Sequence, residues 1–375
     1  MPAAGFQPAK LAEAMNLHVL VLPGDGIGTE VTREAVRVLR YVAGKWNHSL
    51  HIAEGLLGGI AIHKTGSPFP DETARLAADA DATLLGAVGL PEFDNCPPEQ
   101  RPEKGLLSIR KALGVFANLR PVRTFAALLD SSPLKNALVE GTDMLIVREL
   151  TGGIYYGTPR GISGTGPETR AVNTMTYTRA EIERVSHMAF HLARGRRRKV
   201  TSVDKSNVLE NSQLWRRVVV EVAAEYPEVA LDHLLVDNCA MQLILNPRRF
   251  DVVLTENMFG DILSDEGAVL AGSIGMLPSA SLGGRKPSGV WVGLYEPVHG
   301  SAPDIAGQNK ANPLGAIGSV AAMLEYSFGL KEEAARVNAA IEAVLDSGRV
   351  TADLKPTGAP ATTEQVGEAV CAAIG

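Results

Sequence analysis

Residues 21–31 read VLPGDGIGTEV: an apolar run, glycines at Gly24, Gly26 and Gly28, and then residues fit to open a helix. Glycines between a strand and a helix suggest a loop whose backbone amides hold a phosphate, as in dinucleotide-binding units. That fingerprint needs a glycine three residues after the second, and Thr29 stands there instead. The stretch reads as a tight strand-to-helix turn.

The surrounding sequence sets the class of protein. A chain of 375 residues corresponds to two or three domains. With 45% hydrophobic and 21% charged residues it is globular, and a net charge of −6 gives no pull on nucleic acid. No apolar run approaches the ~18 residues of a membrane span. Cys96, Cys239 and Cys371 are odd in number and far apart, which fits neither a disulfide framework nor a metal site. A reducing, cytoplasmic setting is expected. Residues 1–16 lack the apolar core of a signal peptide and the Arg/Ser richness of a transit peptide, and read as a tail.

Along the chain, strand-like runs alternate with helical periodicity: HVLVL (18–22), ATLLGAVG (82–89), DMLIVREL (143–150), RKVTSVDK (198–205), LDHLLVDN (231–238) and FDVVLTEN (250–257). Continuous apolar strands between helices predict an α/β fold. Residues 120–176, rich in turn signals, are expected to leave the main sheet and begin a second domain. The basic run RGRRRKV (194–200) fits the C-terminus of a helix, where the dipole favours cations.

Four constellations carry chemistry. In FGDILSDEG, Asp261 and Asp265 are four apart on one helical face, where an oxygen-seeking cation such as Mg²⁺ or Mn²⁺ would relieve their repulsion. Asp237, ending another strand, offers a third carboxylate, and a helix N-terminus using acids against its dipole is the plain alternative. Arg110, Arg120 and Arg148 stand in or beside apolar sequence, where a guanidinium needs an anion, and together they would clamp a small di- or tricarboxylate. Lys205 ends a strand, where desolvation lowers a lysine towards a working base, and Tyr155 in TGGIYYG is a candidate proton donor. Finally, EPVHGSAPDIAGQNKANP (296–313) is too rich in Gly and Pro for a strand or helix. Its amides could wrap an anion or adenine, with Asp304 accepting ribose hydroxyls.

Taken in order, LPGDGIG, LLSIRKALGVFANLRP, VRELTGGIYYG, VDKSNVL, FGDILSDE and EPVHGSAPDIAG…ANP resemble the isocitrate/isopropylmalate (β-decarboxylating) dehydrogenases, from about His18 onward. The resemblance implies that family's α/β fold: a mixed, largely parallel sheet with flanking helices, two domains and no Rossmann unit. The first would comprise 1–115 and 272–375 with the nucleotide loop, the second 116–271 with dimerisation, metal and catalytic residues, and the active site would lie in the cleft between. It also implies NAD-dependent oxidation and decarboxylation of a hydroxy acid. GLLSIR is similar to the pattern for 3-isopropylmalate, giving 2-oxoisocaproate and CO₂ in leucine biosynthesis; isocitrate-type relatives carry a serine-led segment there. Carried over residue by residue, Arg110, Arg120, Arg148 and Asp237 would hold the substrate, and Leu106, Leu107 and Val208 its alkyl group. Asp237, Asp261 and Asp265 would hold the metal. Leu90, Glu103, His299, Gly300, Ser301, Ala302, Asp304, Ile305 and Asn312 would bind NAD. Lys205, through a water, would take the hydroxyl proton, and Tyr155 would return one to carbon. Lys205 and Asp237 would come from a second subunit of a homodimer. A sister dehydrogenase for isocitrate, homoisocitrate or tartrate, a non-catalytic regulatory relative, and a metal-free Rossmann enzyme remain the alternatives.

Overall fold

A computed structural model describes residues 14–375 except 271 and 288; the tail expected before Asn16 lies mostly outside them. The strands are β1 (Asn16–Gly24), β2 (Ser49–Glu54), β3 (Ala82–Ala87), β4 (Ala117–Arg123), β5 (Asp143–Glu149) and β6 (Gly161–Ser163). They continue as β7 (Arg170–Val172), β8 (Lys199–Asp204), β9 (Ala230–Leu235), β10 (Val252–Thr255), β11 (Pro278–Arg285) and β12 (Trp291–Pro297). In the first third of the chain the helices are α1 (Gly28–Lys45), α2 (Gly59–Thr65), α3 (Asp71–Asp79) and α4 (Pro102–Ala112). Next come α5 (Asn136–Val139), α6 (Arg179–Arg194), α7 (Glu210–Ala223), α8 (Val236–Leu245) and α9 (Asn257–Leu270). The last are α10 (Leu314–Tyr326), α11 (Lys331–Asp346) and α12 (Thr363–Ile374).

Ten strands form one sheet in the order β2-β1-β3-β12-β11-β4-β5-β10-β8-β9. Both flanks are parallel, and the antiparallel pairs sit together at the centre, β12–β11, β11–β4 and β4–β5. The parallel strands β3 and β10 are buried at every residue, as expected where helices cover both faces. All strands left of the β11–β4 seam come from outside residues 116–271, and all strands right of it from within them.

The expectation that residues 120–176 leave the sheet holds only in part. β4 and β5 are central strands, and only the exposed hairpin β6–β7 stands apart. Turn residues between them suggested departure, but apolar β4 and β5 gain more by pairing and burial than the loops cost. The basic run ends α6 and is consumed locally: Arg194 pairs with Glu228, Arg196 with Asp143 and Asp251, and Lys199 with Asp232.

The opening turn acts as a clasp. Gly24 and Gly26 both have positive φ, +70° and +54°. Between them Asp25 is buried, its carboxylate accepting from the amides of Gly59, Ile60 and Gly89, each at 2.8 Å. The Ile27 amide donates to the Ser301 carbonyl at 2.8 Å. The acid of this turn is spent on backbone amides, and the turn pins α2 and two loops together.

Candidate active site

Arg148 ends β5 and is 4% exposed. Its Nε and one terminal nitrogen donate to Asn257 Oδ1 at 3.0 and 2.7 Å, and the other terminal nitrogen bonds Asp261. Gly260 permits this, because a Cβ there would stand 2.7 Å from Arg148 Cγ. Burial, then the neighbouring Arg120 and further off Arg110, lower the Arg148 pKa to about 10, so it remains cationic at neutral pH. Arg120, on β4, donates to Asn118 Oδ1, Ser264 Oγ and Asp265 Oδ1, and lies 3.5 Å from Asp261. Arg110, on α4, is buried against Glu296. The three arginines predicted from sequence are brought together.

Asp261 is the hub. It accepts from Arg148 and, at 3.0 Å, from the Tyr155 hydroxyl. Burial and the adjoining Asp261 carboxylate raise the Tyr155 pKa above its ordinary 10, which keeps the phenol protonated. Asp261 and Asp265 project from α9 towards the shared Arg120.

Asp237 is elsewhere, in the first turn of α8 rather than at the end of the strand where the apolar run placed it, because β9 stops at Leu235. Lys205 donates to it at 2.8 Å, which holds the Asp237 carboxyl below the usual range. Neither residue contacts Tyr155, Asp261 or Asp265, and no cluster of three metal-ligating side chains forms among the described residues. Val208 follows on the Lys205 turn, 60% exposed. A single chain thus assembles the arginines, Tyr155 and two aspartates in one place and leaves Lys205, Val208 and Asp237 in another. On α4, Leu106 packs into the cluster around Leu20, Leu22 and Leu57, while Leu107 is half-buried outside it.

The 299–312 loop lies against the opening turn. His299 is buried, its Nδ1 paired with the Gly300 carbonyl at 2.9 Å, and burial lowers its pKa, so the imidazole is neutral. Ala302 has φ +35°. A Cβ on Gly89, next to Leu90, would meet Glu103 Oε1 at 3.4 Å and Ser301 Oγ at 3.7 Å, which places these three elements together. Asp304 is exposed and Ile305 half-buried. Asn312 spends its amide on the fold, donating to Asp353 and accepting from the Leu314 amide.

Several residues that hold this site were missed in the sequence. Asn257 orients Arg148. Glu256 accepts from the Met258 and Phe259 amides at the start of α9 and from Tyr177. Glu296 faces Arg110, and Glu30 accepts from the Asn309 amide. An acid or amide at the first turn of a strand-linked helix was the available signal for Glu256 and Asn257. Glu296 and Glu30 have no local signal.

Of the ten buried side-chain polar atoms without a partner among the described residues, three belong to this region: Arg110 Nε, the Tyr156 hydroxyl and His299 Nε2. Burying such an atom unpaired costs about 1–3 kcal/mol, which a ligand atom reaching it here would offset.

The family profile for isocitrate/isopropylmalate dehydrogenase matches residues 18–370. The chain belongs to this family. The 3-isopropylmalate dehydrogenase of Geobacillus kaustophilus is 59% identical over 343 residues, 92% of this chain and 91% of its own. That of Halalkalibacterium halodurans is 55% identical, over 96% of this chain and 98% of its own. Among solved structures, isocitrate dehydrogenase from Methylococcus capsulatus superposes with a TM-score of 0.83 at 32% identity, covering 96% of this chain and 99% of its own. The Thermococcus kodakarensis β-decarboxylating dehydrogenase gives 0.76 at 37% identity, covering 96% of each chain. The fold expected from the motifs is therefore the fold found. The carboxylate oxygens of Asp261 and Asp265 on α9 are hard donors of the kind a divalent cation takes, and His299 Nε2 is a buried atom without a partner.

Proposed function

We propose that this chain oxidises 3-isopropylmalate with NAD⁺ and decarboxylates it to 2-oxoisocaproate, the step it would serve in leucine biosynthesis. The observation that carries the reading is Asp261 with Arg148, half-buried Arg120 and Tyr155 on it, and buried Arg110 close enough to act on Arg148, with apolar Leu107 on the helix that bears Arg110. The names of relatives at 54–60% identity support it.

When bound at Asp261, Asp265 and a second copy's Asp237, a divalent cation supplies Lewis acidity, and NAD⁺ in the 299–312 loop supplies the hydride acceptor. The arginines fix the two carboxylates and offset their charge, bidentate forks giving orientation as well as attraction. Lys205 takes the hydroxyl proton through a water. Tyr155, held protonated beside Asp261, gives a proton to the carbon that loses CO₂. Leu106, Leu107 and Val208 surround the isopropyl group, with Leu107 the freer of the two leucines. Asp304 takes the ribose hydroxyls.

The seam between β11 and β4 divides the sheet where the two proposed domains, 1–115 with 272–375 and 116–271, would meet. We read the protein as a homodimer. Exposed Met241 and Leu245 on α8, with Ile262 and Val269 on α9, form an apolar face of the kind a second copy covers. That pairing would carry Lys205, Val208 and Asp237 into the other copy's site. NADH formation is measured with 3-isopropylmalate, isocitrate, tartrate and malate, with and without EDTA. Turnover of 3-isopropylmalate that EDTA abolishes is expected; preference for isocitrate would refute the reading.

A further inference from the structure

A cavity of about 690 Å³ lies at the seam of the two sheet halves, within the size range of small-molecule sites. Leu119, Pro121 and Arg123 of β4 line it, as do Asp143 and Leu145 of β5. Side chains alternate along a strand, so the cavity occupies the face of the sheet opposite Arg120 and Arg148. It is separate from the site described above, and no step of the reaction uses it.

Its floor is apolar, with Leu119, Leu145, Met276 and Leu314, and Trp291 forms a wall. Its charges are not balanced. Arg123, Arg196, Arg285 and Lys331 line it against two carboxylates, Asp143 and Glu325, in a chain whose net charge is −6. Arg196 takes Asp143 at 2.7 Å, and Arg123 reaches outward to Glu342. Arg285 and Lys331 have no carboxylate within ion-pair distance among the described residues. Arg285 instead lies over the Trp291 ring at 4.4 Å and donates to His191 Nε2 at 2.9 Å. His191 belongs to α6 and Arg285 to β11, so this bond crosses the seam.

We propose that this cavity binds a small organic anion with an apolar body, its head on Arg285 and Lys331 and its body on Trp291 and the leucine floor. A bare inorganic anion would leave the floor empty, and an uncharged apolar molecule would leave Arg285 with only Trp291 and His191, and Lys331 with only the nearby charge of Glu325. The ligand touches both sheet halves behind the catalytic cleft. It therefore favours whichever arrangement of the halves it fits, and turnover responds to it.

Anilinonaphthalene sulfonate is the probe, titrated by fluorescence into the full-length protein with NAD⁺ and Mg²⁺ present, and decanoate is the competitor. Wild type should bind the probe and release it to decanoate. Arg285→Glu with Lys331→Glu, both on the surface, should weaken binding at least tenfold, and Ala322→Trp, which fills the cavity, should abolish it. Neither variant should change ligand-free turnover more than twofold. Decanoate should lower kcat without raising the KM for substrate in wild type and do nothing in the charge-reversed protein. Equal probe affinity in wild type and the charge-reversed protein overturns the site. Decanoate inhibition that is absent in wild type, or the same in both, overturns the coupling. Should Ala322→Trp not fold, the charge-reversed protein alone decides.

Discussion

Gly26→Ala tests whether the opening turn serves the nucleotide loop mechanically. An added Cβ would stand 2.0 Å from the Ser301 carbonyl oxygen, where ordinary contact begins near 3.4 Å, so the loop must retreat by about 1.4 Å. The backbone, at φ +54°, adds about 1–2 kcal/mol for a non-glycine residue. Retreat also stretches the Ile27-to-Ser301 hydrogen bond, worth about 0.5–1.5 kcal/mol. Together these predict a loss of about 1.5–3.5 kcal/mol, read as a lower urea midpoint with unchanged slope. A displacement near 1 Å in a positioning loop can cost up to about a hundredfold in rate. Here it falls on the cofactor: the KM for NAD⁺ should rise at least tenfold while that for the hydroxy acid stays within twofold. The preference for NAD⁺ over NADP⁺ should not move, because Asp304 is untouched. An unchanged KM for NAD⁺ in a protein destabilised as predicted would refute the clasp.

The remaining tests address single roles. Asp261→Asn should abolish most turnover and also lower stability, since it takes the carboxylate from Arg148, whose side chain is 5% exposed, and from Arg120 and Tyr155; activity that survives both this change and EDTA removes the metal mechanism. Asp304→Lys with Ile305→Tyr should move preference towards NADP⁺, a carboxylate giving way to a phosphate partner, and cofactor kinetics would show it. Leu107→Ala should weaken 3-isopropylmalate more than malate, at about 1 kcal/mol per lost methylene; equal losses would take Leu107 out of the pocket. Leu245→Glu should yield monomers in sedimentation with little turnover, and a fully active monomer would show that no second copy completes the site.

Much of this protein is written locally. The apolar runs that became β1, β3, β5, β8 and β10 needed only their composition and the glycines and prolines between them. Thr29, where a third glycine was required, already argued against a dinucleotide fingerprint. Arg110, Arg120 and Arg148 declared themselves by standing in apolar sequence, because a buried guanidinium is costly without an anion. Asp261 and Asp265 share a helix face by spacing alone. What the sequence left open joins distant segments. Tyr155 meets Asp261 across 106 residues and Arg110 meets Glu296 across 186, and neither partner differs locally from any other acid. The centrality of β4 and β5 was hidden because pairing with β11 depends on a strand about 160 residues away. Gly26 looked like a turn glycine; only the tertiary structure puts Ser301 against it. Periodicity and propensity are fixed by neighbours a few residues apart, whereas which charges meet, and which loop a turn holds, is decided by how the sheet closes around them.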